Sequence, residues 1–199
     1  MKVTSFSRPQ TGSFQLDPEY AAQAERIFAR YPADKRASGI IPMLDLAQRQ
    51  NGGWLSPEAI EYVAQACDVA PIRVYEVASF YTMFYTEPMG QHVVQVCRTT
   101  PCWLRGSDAI GTACKERLGI DYGETTKDGK FSLIEVECLG ACCNAPMVQI
   151  NDDFYEDLTP DSMAAILDAL DKGETPQTGS QSGRLASAPE GGPQTLTQA

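Results

Sequence analysis

Four cysteines stand in two pairs: Cys97 and Cys102 with four residues between them, then, after a gap of 35 residues, Cys138 and Cys142 with three between. Each pair follows an apolar, β-branched run, HVVQVC over residues 92–97 and FSLIEVEC over residues 131–138. Thiolates are soft ligands, and two such pairs suit a group that takes two sulfurs on each of two metal ions, as a [2Fe-2S] cluster does. If the two runs are neighbouring strands, their loops emerge at one sheet edge and the four sulfurs meet. A cluster with four thiolates is an anion that gains further negative charge on reduction. Its loops must let backbone N–H groups turn inward, which the small Gly140 and Ala141 allow, while Arg98 and Arg105 add positive potential nearby. Cys143 adjoins Cys142, and spacing alone does not choose between them.

Other chemistries fit these residues less well. An all-thiolate zinc site also uses two cysteine pairs, but zinc knuckles place two residues within each pair. A thiol–disulfide oxidoreductase uses C-x-x-C, a shorter spacing than Cys97 and Cys102 have. With His92 as the only histidine, a Rieske centre, the usual Cys/His zinc fingers and a C-x-x-C-H haem site are excluded. The glycines of GSDAIG, residues 106–111, have the spacing of a phosphate loop, but Thr112 and Ala113 replace its Lys-Ser/Thr, and no G-x-G-x-x-G occurs. Without a nucleotide motif or a nucleophile–base pair, the chain reads as an electron carrier that performs no substrate chemistry of its own.

Composition narrows the setting. The chain has 199 residues, 43% of them hydrophobic, with 16 basic against 26 acidic residues and a formal charge of −10. Such acidity argues against nucleic acid or an anionic membrane surface as partner. No run reaches the ~18 apolar residues of a membrane span, and the N-terminus lacks a secretory core. A cytoplasmic protein is therefore expected. In that reducing compartment seven cysteines, an odd number, point to metal or redox chemistry rather than a disulfide framework.

The elements that must position the cysteines follow from periodicity. After a short arm over residues 1–14, residues 15–89 read as a helical bundle. Asp17-Pro18 opens a first helix, a second runs from Ile40 and stops at Asn51 to Gly53, Ser56-Pro57 starts a third, and a short fourth begins at Pro71 before the aromatic run SFYTMFY. Cys67 shares the apolar stripe of the third helix and is assigned to the core. Residues 90–172 read as α/β: strand 92–97, one helix carrying Leu104 through Leu118 with Cys114 on its apolar face, strand 131–138, a hairpin across NDD, and a last helix capped at Thr159-Pro160. Residues 173–199, rich in Gly, Pro, Ser, Thr and Gln, read as a disordered tail that buries too little apolar surface to offset its ordering entropy.

At SFYTMFY, VCRTTPCWLRGSDAI and ECLGACCNAPMVQIND the sequence resembles the thioredoxin-like [2Fe-2S] subunit family of proton-translocating NADH:quinone oxidoreductase, respiratory complex I. The likeness extends over roughly residues 15 to 172. It implies a thioredoxin-like [2Fe-2S] ferredoxin domain behind an N-terminal helical bundle. It carries the four ligands onto Cys97, Cys102, Cys138 and Cys142, with Cys143 a non-ligand neighbour. It further implies a flavoprotein partner that binds FMN, NADH and a [4Fe-4S] cluster, a larger iron–sulfur subunit, and a position peripheral to the inner membrane. There the cluster lies near the flavin but off the main path to quinone and holds one flavin electron temporarily. The equivalent subunit of an NAD-linked hydrogenase or formate dehydrogenase is the alternative within the family, and a zinc-stabilised four-cysteine binding module the alternative outside it.

Overall fold

In a computed structural model of the chain, residues 12–189 together with 191, 192 and 195 are described. Most of the expected N-terminal arm and the last part of the tail lie outside them. The chain divides into two compact units, Met1–Met89 and Gly90–Ala199.

The first unit is helical: α1 (Pro18–Phe28), a 3-10 stretch (Ala33–Gly39), α2 (Ile40–Gln50), α3 (Pro57–Cys67) and α4 (Pro71–Phe80). Three of these helices begin with proline, whose fixed φ and missing N–H suit a first turn. Asp17 precedes α1 without a side-chain cap, whereas the Ser56 hydroxyl accepts the Ala59 N–H at 3.2 Å at the start of α3. Met43, Leu44, Val63, Ala64 and Val74 are the fully enclosed centre of the bundle. The aromatic run after α4 is tied back to α2 by Gln48, which donates to the Met83 carbonyl and accepts from the Tyr85 N–H, both at 2.9 Å. Phe84 is buried there, Tyr85 half-buried, and Phe80 and Tyr81 are exposed.

The second unit is a mixed sheet with helices packed against it. Its strands are β1 (His92–Cys97), β2 (Glu124–Thr125), β3 (Phe131–Val136), β4 (Val148–Ile150), β5 (Asp153–Glu156) and β6 (Gly179–Ser180), in the order β2-β3-β1-β4-β5-β6. β1 and β3 are parallel, and β4 runs antiparallel on the other side of β1. Val94, Val96 and Leu133 share one core with Ile110 and Cys114 of α6 (Ser107–Leu118) and with Met163 and Leu167 of α7 (Pro160–Asp171). A reciprocal cap joins Thr159 and Ser162 at the start of α7.

One expectation is corrected. The single helix expected to carry Leu104 through Leu118 is two, α5 (Thr100–Leu104) and α6, because Gly106 takes φ +96 and turns the chain between them. The second glycine of GSDAIG also has a packing reason: a Cβ on Gly111 would stand 2.1 Å from the Tyr122 hydroxyl. The tail expected to be disordered carries a short strand and polar ties in its described part. β6 pairs parallel to β5, the Gln181 N–H donates to the Glu156 carbonyl at 2.9 Å, and Arg184 forms an ion pair with Asp157. The composition argument weighs apolar burial, whereas this segment is held by main-chain pairing and polar side chains.

Candidate metal centre

Topology brings the cysteines together. Cys97 ends β1 directly beside Val136, which ends β3, and Val96 stands beside Val148 at the start of β4. Because β3 and β4 flank β1, the chain leaving β3 must cross the end of β1 to enter β4. That crossing carries Cys138 and Cys142 past Cys97. Cys102 arrives from the other loop, in α5, whose first turn is closed by the Trp103 N–H on the Thr99 carbonyl at 2.9 Å. Beneath the loops Cys97, Cys102, Ala145 and Met147 form a small buried cluster of their own. The sulfur site is thus floored by apolar side chains, while Cys138, Cys142 and Cys143 are exposed.

The sulfurs come as two pairs. Cys138 Sγ and Cys142 Sγ are 3.3 Å apart, and Cys97 and Cys102 pack in one buried cluster. Two thiolates on one tetrahedral ion, with metal–sulfur bonds of ~2.3 Å, stand roughly 3.8 Å apart, so the outer pair needs only a small opening. Among the described residues no three His, Cys, Asp or Glu side chains converge around a single point. Two cysteine pairs match the two thiolates that each iron of a binuclear cluster takes.

Proton affinities follow the same division. Burial pushes the Cys97 thiol up, but the Thr99 hydroxyl and N–H, the Leu139 N–H and Cys102 together hold it below its ordinary value. Its partner Cys102 is pushed up to about 12, by burial first and then by Cys97. In the outer pair, the Gly140 N–H, 3.4 Å from Cys138 Sγ, and Cys142 lower Cys138, while Cys138 raises Cys142. Each pair thus holds one acidic and one reluctant thiol, and a metal that takes both must displace the reluctant proton. Gly140 has φ +86, a conformation open to glycine at little strain, and this lets its N–H face the sulfur.

Cys67 and Cys114 belong to the two cores, where burial raises their thiols to about 11 and about 12. His92 begins β1 at the end opposite Cys97, about 16 Å away along a strand. The expected positive potential of Arg98 is offset, since its guanidinium binds Asp108 at 2.5 Å and Glu135 at 2.8 Å. Arg105 reaches the Ala145 carbonyl at 3.5 Å. Thr99 and the Leu139 amide are not among the residues that the sequence singles out. A threonine two positions after the first cysteine is a faint signal; a main-chain N–H leaves none.

The family model of the thioredoxin-like [2Fe-2S] ferredoxin matches residues 24–171. The chain belongs to that family. Within the thioredoxin-like [2Fe-2S] ferredoxins, it is 61% identical over 158 residues to an NADH-quinone oxidoreductase subunit of Rickettsia bellii, covering 79% of this chain and 95% of that protein. It is 53% identical over 185 residues to the mitochondrial NADH dehydrogenase [ubiquinone] flavoprotein 2 of Dictyostelium discoideum, covering 93% of this chain and 75% of that protein. A crystal structure of an NAD+-reducing [NiFe]-hydrogenase in the H2-reduced state shares the fold, with a TM-score of 0.60 at 20% identity over 69% of this chain and 23% of that one.

Proposed function

We propose that this chain is the electron-transfer subunit of NADH:quinone oxidoreductase, holding one [2Fe-2S] cluster on Cys97, Cys102, Cys138 and Cys142. The observation that carries this reading is the pair-and-pair arrangement of sulfurs at one sheet edge, in a chain whose relatives are named as subunits of that enzyme. Bound there, the cluster supplies one-electron chemistry. The chain's own residues keep the inner pair away from water, turn the Thr99, Leu139 and Gly140 N–H groups toward sulfur, and leave the outer pair at the surface for exchange. Charge-assisted N–H contacts of this kind favour the thiolate form that a metal needs.

The partner is a flavoprotein subunit carrying FMN, NADH and a [4Fe-4S] cluster, beside a larger iron–sulfur subunit. The chain itself is non-catalytic and exchanges one electron with the flavin. It sits on the cytoplasmic side, peripheral to the inner membrane through the complex; among the described residues no helix is long and apolar enough to cross a membrane. The exposed Phe80, Tyr81 and Met83 of the helical unit offer apolar surface for the flavoprotein. The test is anaerobic titration with NADH. The chain alone should stay oxidised and pass no electrons to ferricyanide, and its visible bands should bleach once the flavoprotein is added. A flavin-free preparation that reduces ferricyanide from NADH overturns the assignment.

A further inference from the structure

The family match ends at residue 171, yet the segment beyond it reaches back to the cysteine loop. Arg184 is the only basic residue after Lys172. Its Nε donates to Asp157 Oδ2 at 3.0 Å, its Nη2 pairs with Asp157 Oδ1, and the same Nη2 donates to the Cys143 carbonyl at 3.1 Å. The two side chains are only 11% and 8% exposed. Asp157 takes φ +52, and its N–H donates to the Asn144 carbonyl at 2.7 Å. Asn144, itself 2% exposed, donates from Nδ2 to the Ala186 carbonyl at 2.8 Å and to Glu156 at 2.6 Å. Ser180 adds a bond to Asp157 at 2.6 Å.

The turn so held, Cys142–Asn144, is a single 3-10 turn lying outside the sheet ladder. Its internal main-chain bond is Asn144 N–H to the Ala141 carbonyl at 2.9 Å. A turn this short does not hold a sulfur in place alone; a bound carbonyl on Cys143 and an enclosed amide on Asn144 fix it from two sides. We propose that residues 179–188 form a strap that locks the Cys142–Asn144 turn, with Arg184 and Asn144 acting as positioning residues for the Cys142 thiolate. This rests on the cluster assignment made above. Arg184 is bound to the Cys143 carbonyl and to the Asp157 carboxylate. It acts through the Cys143 carbonyl and through Asp157, so its loss alters where Cys142 sits and how long it stays there.

Three full-length variants test the strap: Arg184→Ala, the double variant Asp157→Asn with Arg184→Met, and Leu185→Ala, a change at a side chain 84% exposed in the same segment. The double variant removes both charges, so no carboxylate is left buried and unpaired if Arg184→Ala alone disturbs folding. The readouts are the rate at which a chelator bleaches the cluster, the rhombicity of the reduced EPR signal, and amide hydrogen exchange at Asn144 and Asp157. For Arg184→Ala and the double variant we expect bleaching on the order of tenfold faster, the scale of one charge-assisted hydrogen bond, with an altered EPR line shape and faster exchange at both amides. Leu185→Ala should match the parent. Parent-like exchange in both charge variants overturns the strap. Faster exchange with parent-like bleaching and EPR overturns the positioning role. A parent chain that carries no cluster refutes the assignment above instead, and the exchange data still decide whether the strap exists.

Discussion

Cys142 and Cys143 are neighbours on the same exposed turn, and their roles differ by what surrounds each. Cys142 Sγ faces Cys138 Sγ, whereas Cys143 meets Arg184 through its carbonyl. Serine at Cys97, Cys102, Cys138 or Cys142 is therefore expected to abolish or severely perturb the cluster, while Cys143→Ser keeps it. Cys67→Ser and Cys114→Ser should also keep it but lower stability by about 1–3 kcal/mol, because each places a hydroxyl in a dry core. Acid-labile sulfide, the visible bands and thermal melts of all seven variants separate the two effects. Retention in Cys142→Ser together with loss in Cys143→Ser would reverse the choice of ligand. At this scale the sulfurs are legible in the sequence because thiols carry their chemistry in their type and spacing. Spacing does not separate Cys142 from Cys143, and the amides that steer the sulfurs are invisible because every residue but proline has one.

The strands and helices that aim those residues announce themselves by period. The β-branched run at residues 92–97 becomes β1, and Thr159-Pro160 becomes a capped helix start. What periodicity cannot show is how closely elements approach. A Cβ on Gly90 would stand 2.6 Å from the Phe131 carbonyl carbon and 2.8 Å from the Ser132 nitrogen, both backbone atoms. The Gly90 N–H also donates to Ser132 Oγ at 2.7 Å, just where β1 meets β3. Gly90→Ala must push β3 away from the start of β1. Overpacking of this kind costs on the order of 2 kcal/mol, and a melting temperature lower by roughly 5 °C or more is expected. Since the strain sits at the strand start, opposite the cysteine loops, the cluster's EPR signal should be unchanged. A variant as stable as the parent would show that the two strands are not held this close. The break at Gly106 and the sixth strand escape sequence reading for a related reason: Leu104 is spaced as if on the stripe of Ile110 and Cys114 although it is 71% exposed, and a two-residue strand has no period at all.

At the scale of the whole chain, a helical unit and a sheet unit divide the labour. The sheet unit contains every residue of the sulfur site, and the helical unit supplies the exposed apolar side chains assigned to docking. Phe80 is 77% exposed and Met83 48%, whereas Phe84, in the same run, is 6% exposed and fills the bundle core. Sequence alone does not separate these aromatics, since the run SFYTMFY lacks a clean period. Replacing Phe80 and Met83 together with serine should leave the melting temperature and the cluster unchanged but weaken flavoprotein binding at least tenfold, the scale of about 1.4 kcal/mol, in a pull-down or calorimetric titration. Parent-like affinity would remove the helical unit from the docking surface. The electron-transfer role and the positioning role of the strap both depend on the group assigned to the four cysteines. Quantifying iron, zinc and acid-labile sulfide in the anaerobically purified full-length chain tests this most directly. Two irons and two sulfides per chain are expected, as the cluster formula requires. One zinc per chain with no sulfide would contradict the cluster assignment.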